Sequence, residues 1–224
     1  MHPIDNIVWN ALDGPHRRFS IGTDQARRYD RGFAPIAAFR DPLQPSFDAL
    51  APYCERDEHF YIDGWSGPTP GGWRVEFDST MFKMIWNGTA LDADGLPEAV
   101  SLTSEHLSKV VDLVSIAKPG PFGPRSLELG NYFGVLDGDR LVAMAGERFA
   151  AGRYREVSAV CTHPDYQGRG LARKLMLKII RGQQQRGEMS FLHVMRSNAV
   201  ALGLYERMGF SIHSESVVRV VSRD

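Results

Sequence analysis

The stretch EVSAVCTHPDYQGRGLARKLM, Glu156 to Met176, decides how the rest of this chain is read. Its opening part, Glu156 to Thr162, is rich in Val, Cys and Thr and stops at His163-Pro164, the pattern of a strand. From Gly170 onward Leu171, Leu175 and Ile179 recur every fourth residue with Ala172, Met176 and Ile180 beside them, so one face of a helix is apolar. Between strand and helix lies Gln167-Gly168-Arg169-Gly170-Leu171-Ala172. Two glycines there let the backbone come close to a ligand, and the first turn of the helix presents N–H groups that no helical carbonyl reaches. Such a corner suits a phosphate.

Three kinds of phosphate loop share this layout. A nucleoside-triphosphate loop requires G-x-x-x-x-G-K-[ST], and no such run occurs. A dinucleotide turn requires G-x-G-x-x-G, but counted from Gly168 the last glycine falls on Arg173, and no acidic ribose-binding residue follows on a strand at the expected distance. The pattern [QR]-x-x-G-x-[GA] remains, met by Gln167, Gly170 and Ala172. This run resembles the acetyl-coenzyme A pyrophosphate loop of the GNAT superfamily of N-acetyltransferases. Asn198 to Phe210, NAVALGLYERMGF, is similar to the second coenzyme A segment of that superfamily, N-x-x-A-x-x-L-Y-x-x-x-G-F, and follows in the expected order.

Composition agrees with a globular chain. At 224 residues and 43% hydrophobic it can bury an ordinary core as one large domain or two small ones. Met1 to Asn10 lacks the basic and apolar regions of a leader, and no apolar run approaches a membrane span, so a cytoplasmic protein without membrane attachment is expected. Cys54 and Cys161 are the two cysteines, without zinc spacing; both read as reduced thiols, and no metal site is expected. Residues 1–100 hold 9 Lys and Arg against 15 Asp and Glu, a formal −6, while residues 101–224 hold 17 against 12, a formal +5. The basic part suits an anionic cofactor, and its scattered charges argue against nucleic acid. The acidic part reads as a solvated surface before it reads as a site for a cationic acceptor.

Taken in order, residues 1 to about 55 are broken by prolines and promise only short elements. Phe60 to Trp65 reads as a strand, Ser66 to Gly72 as a loop that is either a lid or a hairpin connection, and Trp73 to Trp86 as extended chain. Leu91 to Ala99 is the expected linker. A capping signal at Thr103 opens a helix carrying Leu107, Val110, Val111 and Val114. Asp137-Gly138-Asp139 joins two strands, Asn131 to Leu136 and Arg140 to Phe149, in a hairpin. After the Gly170 to Arg186 helix come a strand at Met189 to Met195, a helix at Asn198 to Met208 and a strand from Phe210 to Val221. The order from Ser101 is α-β-β-β-α-β-α-β, which resembles the GNAT core. The resemblance implies an α/β (α+β) fold with a mixed, mostly antiparallel sheet and helices on both faces. Residues 100–224 are then the acetyl-CoA-binding catalytic domain. Residues 1–99 form a strand-containing N-terminal segment or a degenerate copy of the same unit, as in relatives similar to glycine N-acyltransferases, and contribute to the acceptor site.

By the same resemblance, backbone N–H groups of Gly168, Arg169, Gly170, Leu171 and Ala172, after Gln167, hold the pyrophosphate, and Val160, Cys161 and Thr162 offer the strand along which the pantetheine arm lies. Relatives splay this strand from its neighbour to open that slot. Asn198 either bonds the arm or caps its helix, and the two roles are compatible. Tyr205, two helical turns further on, matches the tyrosine that protonates the coenzyme A thiolate. The alternation of strand side chains puts Glu156 on one face with Ser158, Val160 and Thr162, and Glu156 matches the position where some relatives carry a catalytic base. It is weighed against a carboxylate paired with a nearby arginine or one that steers the acceptor. Glu128, Glu147 and His193 read first as surface groups or satisfied partners. An acyl-Cys161 intermediate is disfavoured because strict alternation puts Cys161 on the face opposite Glu156.

The resemblance therefore implies an N-acetyltransferase moving an acetyl group from acetyl-CoA to a primary amine of a small molecule or amino acid by direct transfer. Its partner is the amine acceptor, and a homodimer is compatible with it. The alternatives are a longer-chain acyltransferase and a non-catalytic coenzyme A-binding interaction protein.

Overall fold

Two long runs rich in β-branched and aromatic residues, Trp73–Trp86 and Phe210–Arg223, pair antiparallel along nearly their whole length and form the middle of the sheet. The computed structural model describes residues 2–89 and 93–224. Its elements run α1 (Ile7–Leu12), β1 (Ser20–Gly22), β2 (Ala26–Tyr29), β3 (Ile36–Phe39), α2 (Phe47–Leu50), β4 (His59–Asp63), β5 (Trp73–Trp86) and β6 (Val100–Ser101). They continue with α3 (Leu107–Ala117), β7 (Tyr132–Asp137), β8 (Arg140–Ala151), β9 (Tyr154–Thr162), α4 (Leu171–Gln185), β10 (Met189–Met195), α5 (Ala199–Arg207) and β11 (Phe210–Arg223). Among the described residues these strands make one sheet in the order β1-β2-β3-β4-β11-β5-β10-β9-β8-β7-β6. Only β3–β4 and β9–β10 pair parallel there. The mixed, mostly antiparallel α/β architecture and the element order from α3 onward agree with the expectation; the short β6 before α3 was not expected.

Helices cover both faces. On one, Leu175, Met176, Ile179 and Ile180 of α4 are fully buried against Ala143, Val157 and Leu192. Burial of each such side chain is worth roughly 1.5–3 kcal/mol, which holds α4, and the loop before it, against β9. On the other face, Ile7 and Val8 of α1 pack on Phe149 and Phe191, while Val110 and Leu113 of α3 pack on Met144 and Cys161. The helix at α3 starts from the expected Thr103 cap, completed by the His106 ring, and ends at Lys118 in the left-handed region at φ 46.

Two expectations are corrected. The Ser66 to Gly72 loop is not a plain hairpin connection, because β11 lies between β4 and β5. Across residue 99, β5 sits between β10 and β11, and Met84, Trp86 and Leu96 pack in the cluster beneath α4. The expected linker falls partly outside the described residues at Leu91 and Asp92; further on, Lys178 of α4 binds Asp94 and the Leu96 carbonyl. Finally, β9 does not alternate strictly. Ala159 has φ 51, and the register steps from Gly146↔Ser158 to Met144↔Cys161, so β9 carries an extra residue there. Val160 consequently packs with Val157 on the α4 side and Cys161 with the α3 cluster. The face argument against an acyl-Cys161 therefore fails. Burial supplies another, since it pushes the Cys161 thiol up to about 12 and keeps it protonated.

Candidate active site

The parallel pairing of β9 with β10 covers Met189↔Tyr154, Ser190↔Arg155 and Phe191↔Glu156 and goes no further. Beyond Glu156 the strands separate, while β8 continues to pair β9 as far as Thr162. Backbone groups of β9 on the open side are thereby left for another partner. Thr162, at the end of this edge, has a buried Oγ1 with no hydrogen-bond partner. Next along the chain, Gly168 and Gly170 take φ values of 76 and 73, and a Cβ at either would meet nothing within 4 Å. Gly170 is the residue that starts α4. A slot between strands leading to an open, positively curved backbone corner at a helix N-terminus fits an elongated ligand ending in phosphate.

A cavity of about 360 Å³ continues inward from this slot. Ser158, Val160, Met195 and Tyr205 line one end; Val8, Ile36, Tyr61 and Asp63 line the other. It is thus built by both halves of the chain. Tyr205 is held by its ring contact with Phe210, 6.0 Å between centroids, and burial pushes its phenol up to about 12. Asn198 accepts a hydrogen bond from the Ala201 N–H at 3.1 Å and so caps α5. It does not line the cavity wall described above.

Glu156 sits at the floor where the two strands part, 1% exposed. Arg148 of β8 donates to it twice, Nε to Oε2 and Nη2 to Oε1, both at 2.8 Å. The Phe149 N–H adds a bond to Oε2 at 3.2 Å, and Nδ1 of His193 lies 2.7 Å from Oε1. Burial raises the carboxyl pKa, but Arg148 and then His193 outweigh it and hold the group well below the usual carboxylate range. The charge on Arg148, opposed by burial, is favoured more strongly by Glu156. An ionised carboxylate only accepts, so Nδ1 of His193 carries the hydrogen and, in the neutral ring, Nε2 carries the lone pair. That Nε2 is buried without a partner, and His193 lines the cavity between the rings of Phe149 and Phe191.

His193 was therefore only half legible in the sequence. One nitrogen is the satisfied partner the composition suggested; the other is free. The register Phe191↔Glu156 in a parallel pair would have brought the two residues together, but register is a tertiary fact. Glu128 and Glu147 are satisfied elsewhere, Glu128 by Arg125 and Glu147 by Asn131 and Arg186. No local pattern in the sequence marks Arg148 or Asp63. Lys83 was the available signal, a lone charge in the run TMFKMIW that needs a buried counter-charge; Asp63 supplies it at 2.7 Å. His2, Asp5 and His213, far apart in sequence, also meet, but they bond to one another and to Tyr154.

The FR47-like protein family matches residues 132–220. The chain is 33% identical to a GNAT-family protein of known structure from Novosphingobium aromaticivorans DSM 12444, over 100% of both chains and with a TM-score of 0.90. A GCN5-related N-acetyltransferase-like protein from Streptococcus suis 89/1591 shares the fold, with a TM-score of 0.61 at 18% identity over 97% of this chain and 92% of that one. Across 84 residues, 36% of the chain, it is 36% identical to N-alpha-acetyltransferase RimI of Mycobacterium tuberculosis (strain ATCC 25618 / H37Rv), a match that spans about half, 51%, of that relative. No described helix is long and apolar enough to cross a membrane. With a relative of this identity over its whole length and a family match across the slot-forming strands, the chain belongs to the GNAT superfamily of N-acetyltransferases.

Proposed function

We propose that the protein acetylates a primary amine from acetyl-CoA by direct transfer, with His193 as the base and Glu156 as the group that orients it. The observation that carries this reading is the Glu156–His193 pair at the inner end of the β9/β10 slot, with Nε2 buried and unpartnered beside the cavity. Glu156 itself, held ionised by Arg148, is a poor place to leave a proton, whereas Nε2 has a lone pair to offer.

Acetyl-CoA supplies an activated acetyl thioester. Residues Gly168 to Ala172 hold its pyrophosphate by backbone N–H groups, and Val160 to Thr162 receive its arm along the free edge of β9. Nε2 of His193 takes a proton from the acceptor's ammonium, leaving a neutral amine to attack. The resulting imidazolium is stabilised by the Glu156 carboxylate on Nδ1. Tyr205, kept as a phenol by burial, holds a proton for the departing sulfur. The walls of the cavity at Val8, Ile36 and Tyr61 favour a small acceptor. A second reading, an α-amino group at the end of a protein chain, is favoured by the RimI-like stretch.

Release of coenzyme A thiol from acetyl-CoA, measured across a panel of small amines and of short peptides, tests both. Turnover with small amines in preference to peptides is expected. Turnover with peptides alone favours the second reading, and binding of acetyl-CoA without turnover of any amine leaves the non-catalytic alternative.

A further inference from the structure

The end of the cavity away from the slot contains a charged group that the transfer chemistry does not use. Asp63, the last residue of β4, is 7% exposed at its side chain and lines the cavity. Its Oδ2 receives Nζ of Lys83 at 2.7 Å, while Oδ1 is buried with no hydrogen-bond partner. Lys83 has no further hydrogen to give, since its other two go to the carbonyls of Asp5 at 2.8 Å and Ile4 at 3.2 Å. A carboxylate oxygen thus keeps both lone pairs unused on a residue that lines the cavity together with the apolar Val8, Ile36 and Phe77. An unfilled acceptor of this kind is costly in a folded protein unless something comes to donate to it.

We propose that Asp63 reads a second cationic nitrogen on the acceptor, so that the preferred substrates are diamines or amino compounds with two protonated nitrogens joined by an apolar spacer. This rests on the acetyltransferase reading above. The two ends are separate: β4 and β10 have β11 and β5 between them, three strand spacings, or roughly 14 Å between backbones. One nitrogen at Asp63 and the other at His193 are therefore different atoms of one molecule. Lys83 offsets part of the carboxylate's charge through Oδ2, but it leaves Oδ1 without a donor, and that is the position a ligand nitrogen would fill. A protonated nitrogen is favoured over a hydroxyl because both can donate to the carboxylate, but only the ammonium adds the attraction of opposite charges.

The test compares α,ω-diamines of increasing length with the monoalkylamines and amino alcohols of the same length, using acetyl-CoA and the full chain. A charge-assisted bond predicts that the best diamine exceeds its matched monoamine by roughly 10- to 100-fold in kcat/KM. The ratio should collapse towards one in Asp63→Asn. Because that change strands Lys83, the paired variant Asp63→Asn with Lys83→Met is measured alongside, with thermal melts to certify the fold. Equal rates for diamine and monoamine, an amino alcohol that matches the diamine, or a ratio that survives in both variants would overturn the proposal. Calorimetry of the best diamine on the coenzyme A-loaded protein separates this failure from failure of the acetyltransferase reading. If no amine is turned over, diamine binding that is lost in both variants still supports Asp63, and the absence of diamine binding by the parent protein overturns it.

Discussion

Glu156 and Arg148 meet in a two-point ion pair, both contacts at 2.8 Å, inside the floor of the cavity. The geometry makes each residue dependent on the other, since removing one leaves a buried charge alone.

Glu156→Gln is accordingly expected to act twice. It keeps the shape but leaves Arg148 uncompensated, so the fold should lose ~3–5 kcal/mol as measured by denaturant unfolding. The orientation of His193 is lost as well, so kcat should fall even under conditions where the protein remains folded. A variant as stable and as active as the parent would refute both the ion pair's role and the orienting role.

His193→Gln is the cleaner probe of the base. A glutamine amide can still donate to Glu156 but has no basic lone pair, and loss of a general base typically costs ~10²–10⁴ in rate. We expect kcat to drop in that range with coenzyme A affinity nearly unchanged, and to recover partly at higher pH as free amine accumulates. A raised KM for the acceptor with kcat kept would instead assign His193 to positioning.

What the sequence revealed and what it hid follow from the range of the interactions. The loop at Gln167 to Ala172, the apolar face of α4 and the cap at Asn198 depend on neighbours within a turn or two, and local spacing displays them. Glu156 was visible as a residue of interest because it sits at a fixed offset from the loop. Its partners were not, because Arg148 arrives through a hairpin and His193 through a parallel pairing, and neither register is written in local pattern. The bulge at Ala159 was equally hidden, as no glycine marks its positive φ, and it reversed the face of every later residue in β9. The place of β5 between β10 and β11 is a matter of topology that element order alone leaves open.

Gly170 is expected to be indispensable for coenzyme A. It holds φ 73 at the start of α4, a conformation that a β-branched residue reaches only with strain, and the space beside it is open. Gly170→Val should therefore weaken coenzyme A binding by more than about tenfold in calorimetry while the melt stays cooperative, since the helix is held mainly by its buried face. Unchanged affinity would remove the loop from the cofactor site.

His16 should make the protein sensitive to mild acid. It is 3% exposed and bonds the Tyr29 hydroxyl at 2.7 Å. Burial first, then the charges of Arg155 and Arg18, lower its pKa from the ordinary 6.5 to about 4. Between those values the unfolded chain takes up a proton that the folded one refuses. The contribution is thus fully present above pH 6.5 and is lost as pH falls towards 4, by an amount on the order of 3 kcal/mol. Urea unfolding at a series of pH values should show this slope, and His16→Gln should flatten it; an equal slope in the variant would assign the sensitivity elsewhere.

The first hundred residues are expected to be required for the fold itself as well as for the acceptor end of the cavity. The neighbours of β11 in the sheet are β4 and β5, both from this part of the chain, so a fragment of residues 101–224 retains β11 with no strand beside it. The same cut uncovers the edge of β10 from Phe191 to Met195 and strips Met84, Trp86 and Leu96 from the cluster beneath α4. Exposed edges and an opened core together favour association over folding. The fragment should therefore lack a cooperative thermal transition and bind a hydrophobic dye, whereas a sharp melt with coenzyme A affinity like the parent's would establish residues 101–224 as an independent unit.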